Sequence, residues 1–209
     1  MKKTIFILVL SLLMGSASFA QVKIGVTAGV NAANFVVSDK EEDDYNRNRY
    51  GLIGGLVVDL GITKNFSIIP EIHYIQKGAG SSESDHGYTS KSMFNIDYIQ
   101  MPLDLTLKFG KNFKFLIFAG PYVGYAISAK VKGEYTYDGE TKKYDEKITL
   151  GKKEGELNPL DFGVDLGLGF QYGRGFLKLR CLAGLSNLQN NSSLKFSNAG
   201  IALTAGVLF

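Results

Sequence analysis

The chain has 209 residues, of which 45% are hydrophobic, and a formal net charge of +3 at pH 7. That length allows one domain or at most two, and a charge so close to zero does not indicate a nucleic-acid partner. The single cysteine, Cys181, excludes an internal disulfide, and its place on an apolar strand face predicts a buried, inert thiol.

Residues 1–20 have the features of a secretory signal peptide. Two lysines form a basic start, an apolar run occupies 4–13, and a small-residue cleavage site ends at Ala20. The apolar run is shorter than the roughly 20 residues that a membrane-spanning helix needs. We therefore expect residues 1–20 to be cleaved and residues 21–209 to form the mature barrel domain.

The mature chain begins with a strand predicted over 22–35, where apolar residues alternate with small or polar ones. A period of two is typical of a β-strand. Residues 38–49 follow, and the acidic run from Asp39 to Asp44 predicts a solvated loop. Because the run lacks the spaced ligands and the glycine of a calcium loop, we expect no calcium site there.

Two further strands are predicted over 50–62 and 66–77, joined by a short turn, and a long polar loop follows at 78–93. The next strand is predicted over 94–109. Asp97 interrupts the alternation of this strand near the loop, which predicts a β-bulge at that point.

After another short turn, a strand is predicted over 113–131, and the longest loop covers 132–158. The Asp138-Gly139 pair in this loop is typical of a hairpin tip, so we expect the flanking strands to extend beyond the membrane. Residues 160–172 then alternate without exception, with large apolar side chains at every even position. The other face is small or polar, which favours a barrel whose apolar face meets lipid.

The last two strands are predicted over 176–187 and 198–209, on either side of a polar loop. Long loops and short turns thus join the segments alternately, as in outer-membrane barrels. Closure pairs the first strand with the last and removes edges that lipid does not tolerate. The predicted fold is all-β, an eight-stranded antiparallel up-and-down transmembrane β-barrel with four long outer loops and three short periplasmic turns.

Aromatic residues lie near both ends of the predicted strands, which is typical of the girdles of membrane barrels. Near the short turns or the terminus are Phe66, Phe109, Phe113, Tyr172, Phe176 and Phe209, and near the long loops are Tyr50, Tyr74, Tyr98, Tyr125 and Phe162. We therefore predict two outward-facing girdles.

Three motifs lie on the strands: Ile-Pro-Glu-Ile-His-Tyr-Ile-Gln-Lys-Gly at 69–78, Tyr-Ile-Gln-Met-Pro-Leu at 98–103 followed by Lys108, and Gly-Pro-Tyr-Val-Gly at 120–124. Together they resemble the PorT-type outer-membrane β-barrel family of Bacteroidota, in which an acid is common at the position of Gln100. The resemblance implies a membrane barrel over nearly all of the mature chain. The terminal Phe209 also resembles the signal read by the barrel-assembly machinery. The family's named member takes part in protein secretion, but the motif residues look structural, and we do not assign that role.

The polar faces of the strands project acids and bases into one lumen. An eight-stranded barrel is about wide enough inside for side chains alone, and buried charges persist only when they are paired. The alternation therefore predicts an ion-paired core rather than an open channel. The predicted network comprises Asp59, Glu71, His73, Asp104, Lys108, Asp161, Asp165, Lys178 and Arg180, and the inward set also includes Lys23, Gln100, Lys114, Lys130 and Gln171.

The chain contains no motif for a nucleophile, a metal or a phosphate, so we expect no catalytic residue, cofactor or metal. His73 is interpreted as a satisfied lumen residue rather than a proton-sensitive switch, and the adjacent Asp85 and His86 indicate catalysis only weakly. We expect a structural or surface-interaction role, with outer-membrane lipid, the barrel-assembly machinery and a protein at the long loops as partners. The alternatives are a narrow pore, a component of protein secretion, a barrel enzyme and a soluble lipocalin-type barrel.

Overall fold

The computed structural model describes residues 21–37, 47–85, 88–137, 140–153, 155–190 and 195–209. The predicted signal peptide, the acidic run from 39 to 44, His86 and the Asp138-Gly139 pair lie outside these residues, as does the side chain of Asp85. Within the described ranges, no helix is long and apolar enough to cross a membrane.

Ten strands make up most of the described chain. Two of them, β3 and β8, have the bounds that the alternation predicts, while β4 and β7 occupy regions predicted as loops. The strands are β1 (Gln21–Val37), β2 (Arg47–Gly61), β3 (Phe66–Lys77), β4 (Ala79–Asp85), β5 (Tyr88–Phe109), β6 (Phe113–Tyr137), β7 (Glu140–Lys147), β8 (Leu160–Tyr172), β9 (Gly175–Gly184) and β10 (Phe196–Leu208).

Eight of these strands form a closed antiparallel ring. β1 pairs with β2, and the pairing continues through β3, β5, β6, β8 and β9 to β10. β10 then pairs with β1, from Gly25 opposite Leu208 to Val37 opposite Phe196. Because the ring closes on itself, its strands satisfy one another's backbone groups, as lipid requires. The ring confirms the predicted eight-stranded up-and-down barrel.

Alternating side chains give the barrel an apolar outer surface and a polar interior. Along β8 exposed and buried residues alternate without interruption. Leu166 is 56% exposed, whereas its neighbour Asp165 is 1% exposed. Successive side chains of a strand point to opposite faces, so the outer face of β8 carries the large apolar residues. The lipocalin-type alternative requires a polar outer face and is therefore wrong.

The two ends of the barrel differ. At the short-turn end, residues 62–65, 110–112 and 173–174 join consecutive strands. Gly110 and Gly173 have φ angles of 108° and 57° in these turns, a region that glycine occupies without a steric penalty. At the opposite, loop end, several strands continue past the ring.

An outer sheet rises from the loop end, formed by β4, residues 88–95 of β5, residues 130–137 of β6, and β7. β4 pairs with β5, and all eight residues of β7 pair with 130–137 of β6. At about 3.3 Å per residue, this hairpin is roughly 26 Å long. The loops predicted at 78–93 and 132–158 are therefore wrong over β4, residues 88–93 of β5, residues 132–137 of β6, and β7. The predicted extension around Asp138-Gly139 is confirmed, since Tyr137 pairs with Glu140.

A β-bulge lies near the loop end of the ring and confirms the bulge predicted near Asp97. Asp97 pairs with Ser128 and Tyr98 pairs with Ala126, so Ile127 of β6 is the extra residue. An extra residue reverses which positions face inward. Ala129 is therefore 4% exposed in the core. The placement of Lys130 in the lumen is wrong, because Lys130 follows the bulge and lies in the stretch that pairs with β7.

Most of the predicted girdle residues face outward. Phe109 and Tyr172 are 47% and 71% exposed near the short turns, and Tyr50 is 78% exposed near the loop end. Two assignments are wrong, because Tyr98 is 0% exposed and Phe176 is 9% exposed, both inside the barrel. Each occupies an even position on a strand whose even positions face inward. Whether a position is odd or even along its strand, which we call strand parity, therefore decides which way these two rings face, despite the tendency of aromatic residues to occupy girdles.

Candidate functional site inside the barrel

The centre of the lumen holds a network of three carboxylates and two cations. Arg180 donates a hydrogen bond from Nη1 to Asp165, and from Nη2 to Glu71 Oε2 at 3.0 Å and to Asp104 Oδ2 at 3.1 Å. Lys178 donates to Glu71 and, at 3.1 Å, to Asp104. All five side chains are at most 3% exposed. This central network joins β3, β5, β8 and β9 across the barrel.

His73 lies against Glu71 at the edge of the central network. Its Nε2 lies 2.7 Å from Glu71 Oε2, and the residue is 1% exposed. Three carboxylates thus lie against two permanent cations and one imidazole. Buried charges of this kind are tolerated only when partners satisfy them. The arrangement is that of a packed ion-paired core.

Aromatic rings pack against the cations of the central network. The centroid of the Phe118 ring lies 4.8 Å from Lys178 Nζ and 5.1 Å from Arg180 Cζ, within the range of a cation–π interaction. The ring needs the space above Gly167, since a Cβ atom there would lie 2.4 Å from Phe118 Cζ and 2.2 Å from the Leu179 carbonyl oxygen. Glycine at position 167 of β8 thus leaves room for the Phe118 ring beside the two cations.

A second polar cluster lies nearer the loop end, around Asp161. Lys77 Nζ and Asn198 Nδ2 each donate to Asp161 Oδ2 at 2.9 Å, and Ser186 Oγ donates to Oδ1 at 2.8 Å. The Tyr122 ring lies 4.4 Å from Lys77 Nζ. Asp161 is 0% exposed. Both of its oxygens are satisfied, so the cluster is suited to a structural role.

An apolar cap covers the loop end of the lumen. Ile148, Leu150 and Leu157 pack on the buried cluster that includes Ile75, Ile96, Tyr98 and Tyr122. Asn190 secures the cap by donating hydrogen bonds from Nδ2 to the carbonyl oxygens of Gly151 and Glu156, at 2.9 and 3.0 Å. The segment after β7 is thus tied into the core rather than extended into solvent.

The short-turn end is more open and more basic. Lys108 donates a hydrogen bond to Asp59, and the two side chains are 8% and 5% exposed. Beside them lies a cavity of about 790 Å³. It is lined by Lys23, Asp59, Gly61, Ile62, Thr63, Lys64, Asn65, Ser67, Lys108, Gly110, Lys111 and Lys114.

The structure places all nine residues of the predicted network inside the barrel, but in three separate groups. Asp59 and Lys108 lie at the short-turn end, Asp161 lies near the loop end, and the other six lie at the centre. Of the other inward residues, Gln100 and Gln171 are buried, and Lys23 and Lys114 line the basic cavity.

Sequence reasoning missed several members of the Asp161 cluster. The predicted network omits Lys77, Tyr122, Ser186 and Asn198. Tyr122 and Asn198 occupy even positions on β6 and β10, as do the buried Phe118 and Thr204. Strand parity alone would have found them. Ser186 is 4% exposed and has the same even parity as Lys178 and Arg180 in the strand predicted over 176–187, although β9 itself ends at Gly184.

Two further predictions concern reactive groups. Cys181 is exposed on the outer face of β9, so the prediction of a thiol buried in protein is wrong, because the apolar face of this strand is turned away from the core. Among the described residues, no group of three or more His, Cys, Asp or Glu side chains is arranged to hold a metal. The Asp85-His86 pair lies where no side chain is described.

Comparison with known proteins identifies a matching family. The sequence matches the model of the outer membrane protein beta-barrel domain over residues 18–190, a range that includes β1 to β9. Comparison with curated proteins gives no match.

Three solved structures are similar to the barrel. Ail, the attachment invasion locus protein of Yersinia pestis, is 10% identical, with 90% of this chain and 98% of that chain covered and a TM-score of 0.41. Ail in complex with the heparin analogue sucrose octasulfate is 11% identical, with 90% and 99% covered and a TM-score of 0.43. Neisserial surface protein A (NspA) is 10% identical, with 89% and 97% covered and a TM-score of 0.47.

Proposed function

Because the chain belongs to the outer membrane protein beta-barrel domain family, it is an integral protein of the outer membrane, and we propose that its outer sheet binds a protein outside the cell. Long connections of outer-membrane barrels face the exterior and short turns face the periplasm. The outer sheet, at the loop end, therefore extends away from the cell. The paired part of its hairpin of β6 and β7 is roughly 26 Å long.

The observation that carries this proposal is a row of exposed tyrosines on one face of the outer sheet. Tyr88 and Tyr137 pair across β5 and β6, and Tyr135 shares their face because it lies two residues from Tyr137. They are 40%, 68% and 37% exposed, respectively. Tyrosine is enriched at protein interfaces because its ring is apolar and its hydroxyl can hydrogen-bond. This tyrosine face suits a protein partner.

The filled interior of the barrel argues against conduction and catalysis, and so favours a binding role at the outer sheet. The central network fills the middle of the lumen, and the apolar cap covers its loop end. An eight-stranded barrel leaves little room beyond its own side chains. We infer that the protein is neither a pore nor an enzyme. In planar bilayers we expect no channel events, whereas conductance that changes with Asp165→Asn would favour the narrow-pore alternative.

We also infer how the protein reaches the membrane. Residues 1–20 would be removed as a signal peptide on export, and Phe209 would be read by the barrel-assembly machinery. The motifs at 69–78, 98–103 and 120–124 suggest a PorT-type chain of Bacteroidota. Two motif residues, Glu71 and Tyr122, lie in the lumen clusters, which supports a structural role for these motifs rather than one in secretion.

Photo-crosslinking in intact cells tests the proposed interaction. A benzoylphenylalanine residue would replace Tyr137 on the tyrosine face or, as a matched control, Leu166, which is 56% exposed on the lipid-facing surface. We expect a discrete protein adduct at position 137 only, and its loss when Tyr135→Ser is added. Absence of an adduct at 137, or the same adducts at both positions, would contradict the proposal.

A further inference from the structure

The cavity at the short-turn end carries an excess of positive charge. It is lined by Lys23, Lys64, Lys108, Lys111 and Lys114, a set that we call the basic mouth. An adjoining cavity of about 440 Å³ shares three of these lysines, Lys23, Lys111 and Lys114. Of the described residues that line the larger cavity, Asp59 is the one carboxylate. Five ammonium groups therefore face a single acid.

One oxygen of that single acid, Asp59 Oδ2, is bound to Lys108, while Oδ1 has no hydrogen-bond partner among the described residues. Lys108 forms an ion pair with Asp59 in a buried position. Lys23 and Lys114 are half-buried beside this pair, and their positive charges act on Lys108 by repulsion. Among the described residues, the carboxylate of this cavity forms its ion pair with Lys108 and not with Lys23 or Lys114. Like charges held close together in a partly enclosed space favour the binding of an anion.

A hydroxyl group also faces the basic mouth. Ser67 lines the cavity, is 1% exposed, and its Oγ has no hydrogen-bond partner among the described residues. Buried polar groups without a partner are uncommon in folded proteins. A ligand with acceptor oxygens would satisfy Ser67 while it neutralises the lysines, so the two observations point to the same chemistry.

We propose that the basic mouth binds a phosphate group. A phosphate offers several acceptor oxygens and up to two negative charges, so one group can accept hydrogen bonds from Lys23, Lys114 and Ser67 together. A single carboxylate carries only one charge. The cavity faces the periplasm, where two sources share this chemistry: the headgroup of a phospholipid in the inner leaflet, and a free phosphate or phosphate ester.

Two binding measurements on the full chain distinguish the sources. In maltoside detergent, titration calorimetry would follow inorganic phosphate at constant ionic strength. In nanodiscs of phosphatidylcholine with or without phosphatidic acid, native mass spectrometry would count the acidic lipids that remain bound. The test variant is Lys23→Gln with Lys114→Gln, and the matched control is Lys142→Gln with Lys143→Gln on the outer hairpin. Gel mobility of unboiled protein would verify that each variant forms a closed barrel.

Binding of phosphate that weakens by about tenfold for each lysine removed, with no change in the control, would support a soluble ligand. Retention of phosphatidic acid that is lost in the test variant alone would support a lipid headgroup. If neither probe binds, or if the control variant loses binding as much as the test variant, the proposal is wrong. Neither outcome depends on the tyrosine face, which lies at the opposite end of the barrel.

Discussion

Removal of Arg180 provides the sharpest test of the ion-paired interior. Its guanidinium donates hydrogen bonds to Asp165, Glu71 and Asp104, all of them buried. In Arg180→Met the apolar volume is largely kept, but three carboxylates face Lys178 as their one permanent cation. Asp165 then has no donor among the described residues, because its only hydrogen bond there comes from Arg180.

The expected loss of stability is large. Removal of one partner from a buried ion pair typically costs about 3–5 kcal/mol, because an uncompensated charge stays buried. With a slope of about 2 kcal/mol per molar urea, a loss of about 4 kcal/mol lowers the unfolding midpoint by about 2 M. The midpoint would be measured in lipid vesicles by circular dichroism and by the gel mobility of unboiled protein.

Two further variants make this prediction refutable. Lys91→Met removes an exposed pair, whose 3.6 Å contact joins side chains that are 47% and 39% exposed, and such pairs contribute about 0–1 kcal/mol. Arg180→Met combined with Asp165→Asn removes one charge of each sign and should recover part of the loss. If Arg180→Met unfolds at the same urea concentration as Lys91→Met, the central network does not stabilise the barrel as argued.

Three other outcomes are expected. Gly167→Val should prevent closure of the barrel and so change the gel mobility of unboiled protein, because even a Cβ atom there meets Phe118 and a backbone oxygen. The control Gly175→Ala, whose Cβ would lie 3.7 Å from its nearest neighbour, should leave gel mobility unchanged. Cys181 should resist a water-soluble maleimide in intact membranes, because lipid covers its face, and should react after boiling in detergent; labelling before boiling would contradict the outward assignment. A hydrogen bond from Lys132 lowers the pKa of Asp145 below its usual 3.8. The outer hairpin should therefore lose protection of its backbone amides from hydrogen exchange as the pH falls below that value. Equal protection factors at pH 6 and pH 3 would show that the pair contributes nothing to the stability of the hairpin.

The alternation of side chains predicted the ring because lipid imposes a simple rule on each strand. Every span must carry an apolar face for the membrane and satisfy its backbone groups by pairing. The bounds of β3 and β8 follow directly from this rule. Outside the membrane the rule does not apply, and polar strands such as β4 and β7 have no periodic apolar face to reveal them. They were therefore predicted as loops.

The prediction of whether a side chain faces the lumen or the lipid was wrong where another sequence feature conflicted with strand parity or changed it. Tyr98 and Phe176 lie near strand ends, where aromatic residues favour girdles, but their even positions turn them inward. The lumen placement of Lys130 is wrong because here parity itself was misleading. Its parity appeared inward until the extra residue Ile127 shifted the register of β6. Asp97 predicted a bulge in this region, but the sequence did not reveal that the extra residue lies on the neighbouring strand.

The sequence by itself determined the number of membrane strands, their two faces and most of the charged residues in the lumen, because each depends only on neighbours along the chain. The tertiary structure alone decided which charges meet. Lys178 and Glu71 are 107 positions apart and lie on strands that are not adjacent in the ring. Their contact depends on the stagger of eight strands around the barrel. That stagger separates the charges into a central network, the Asp161 cluster and the basic mouth.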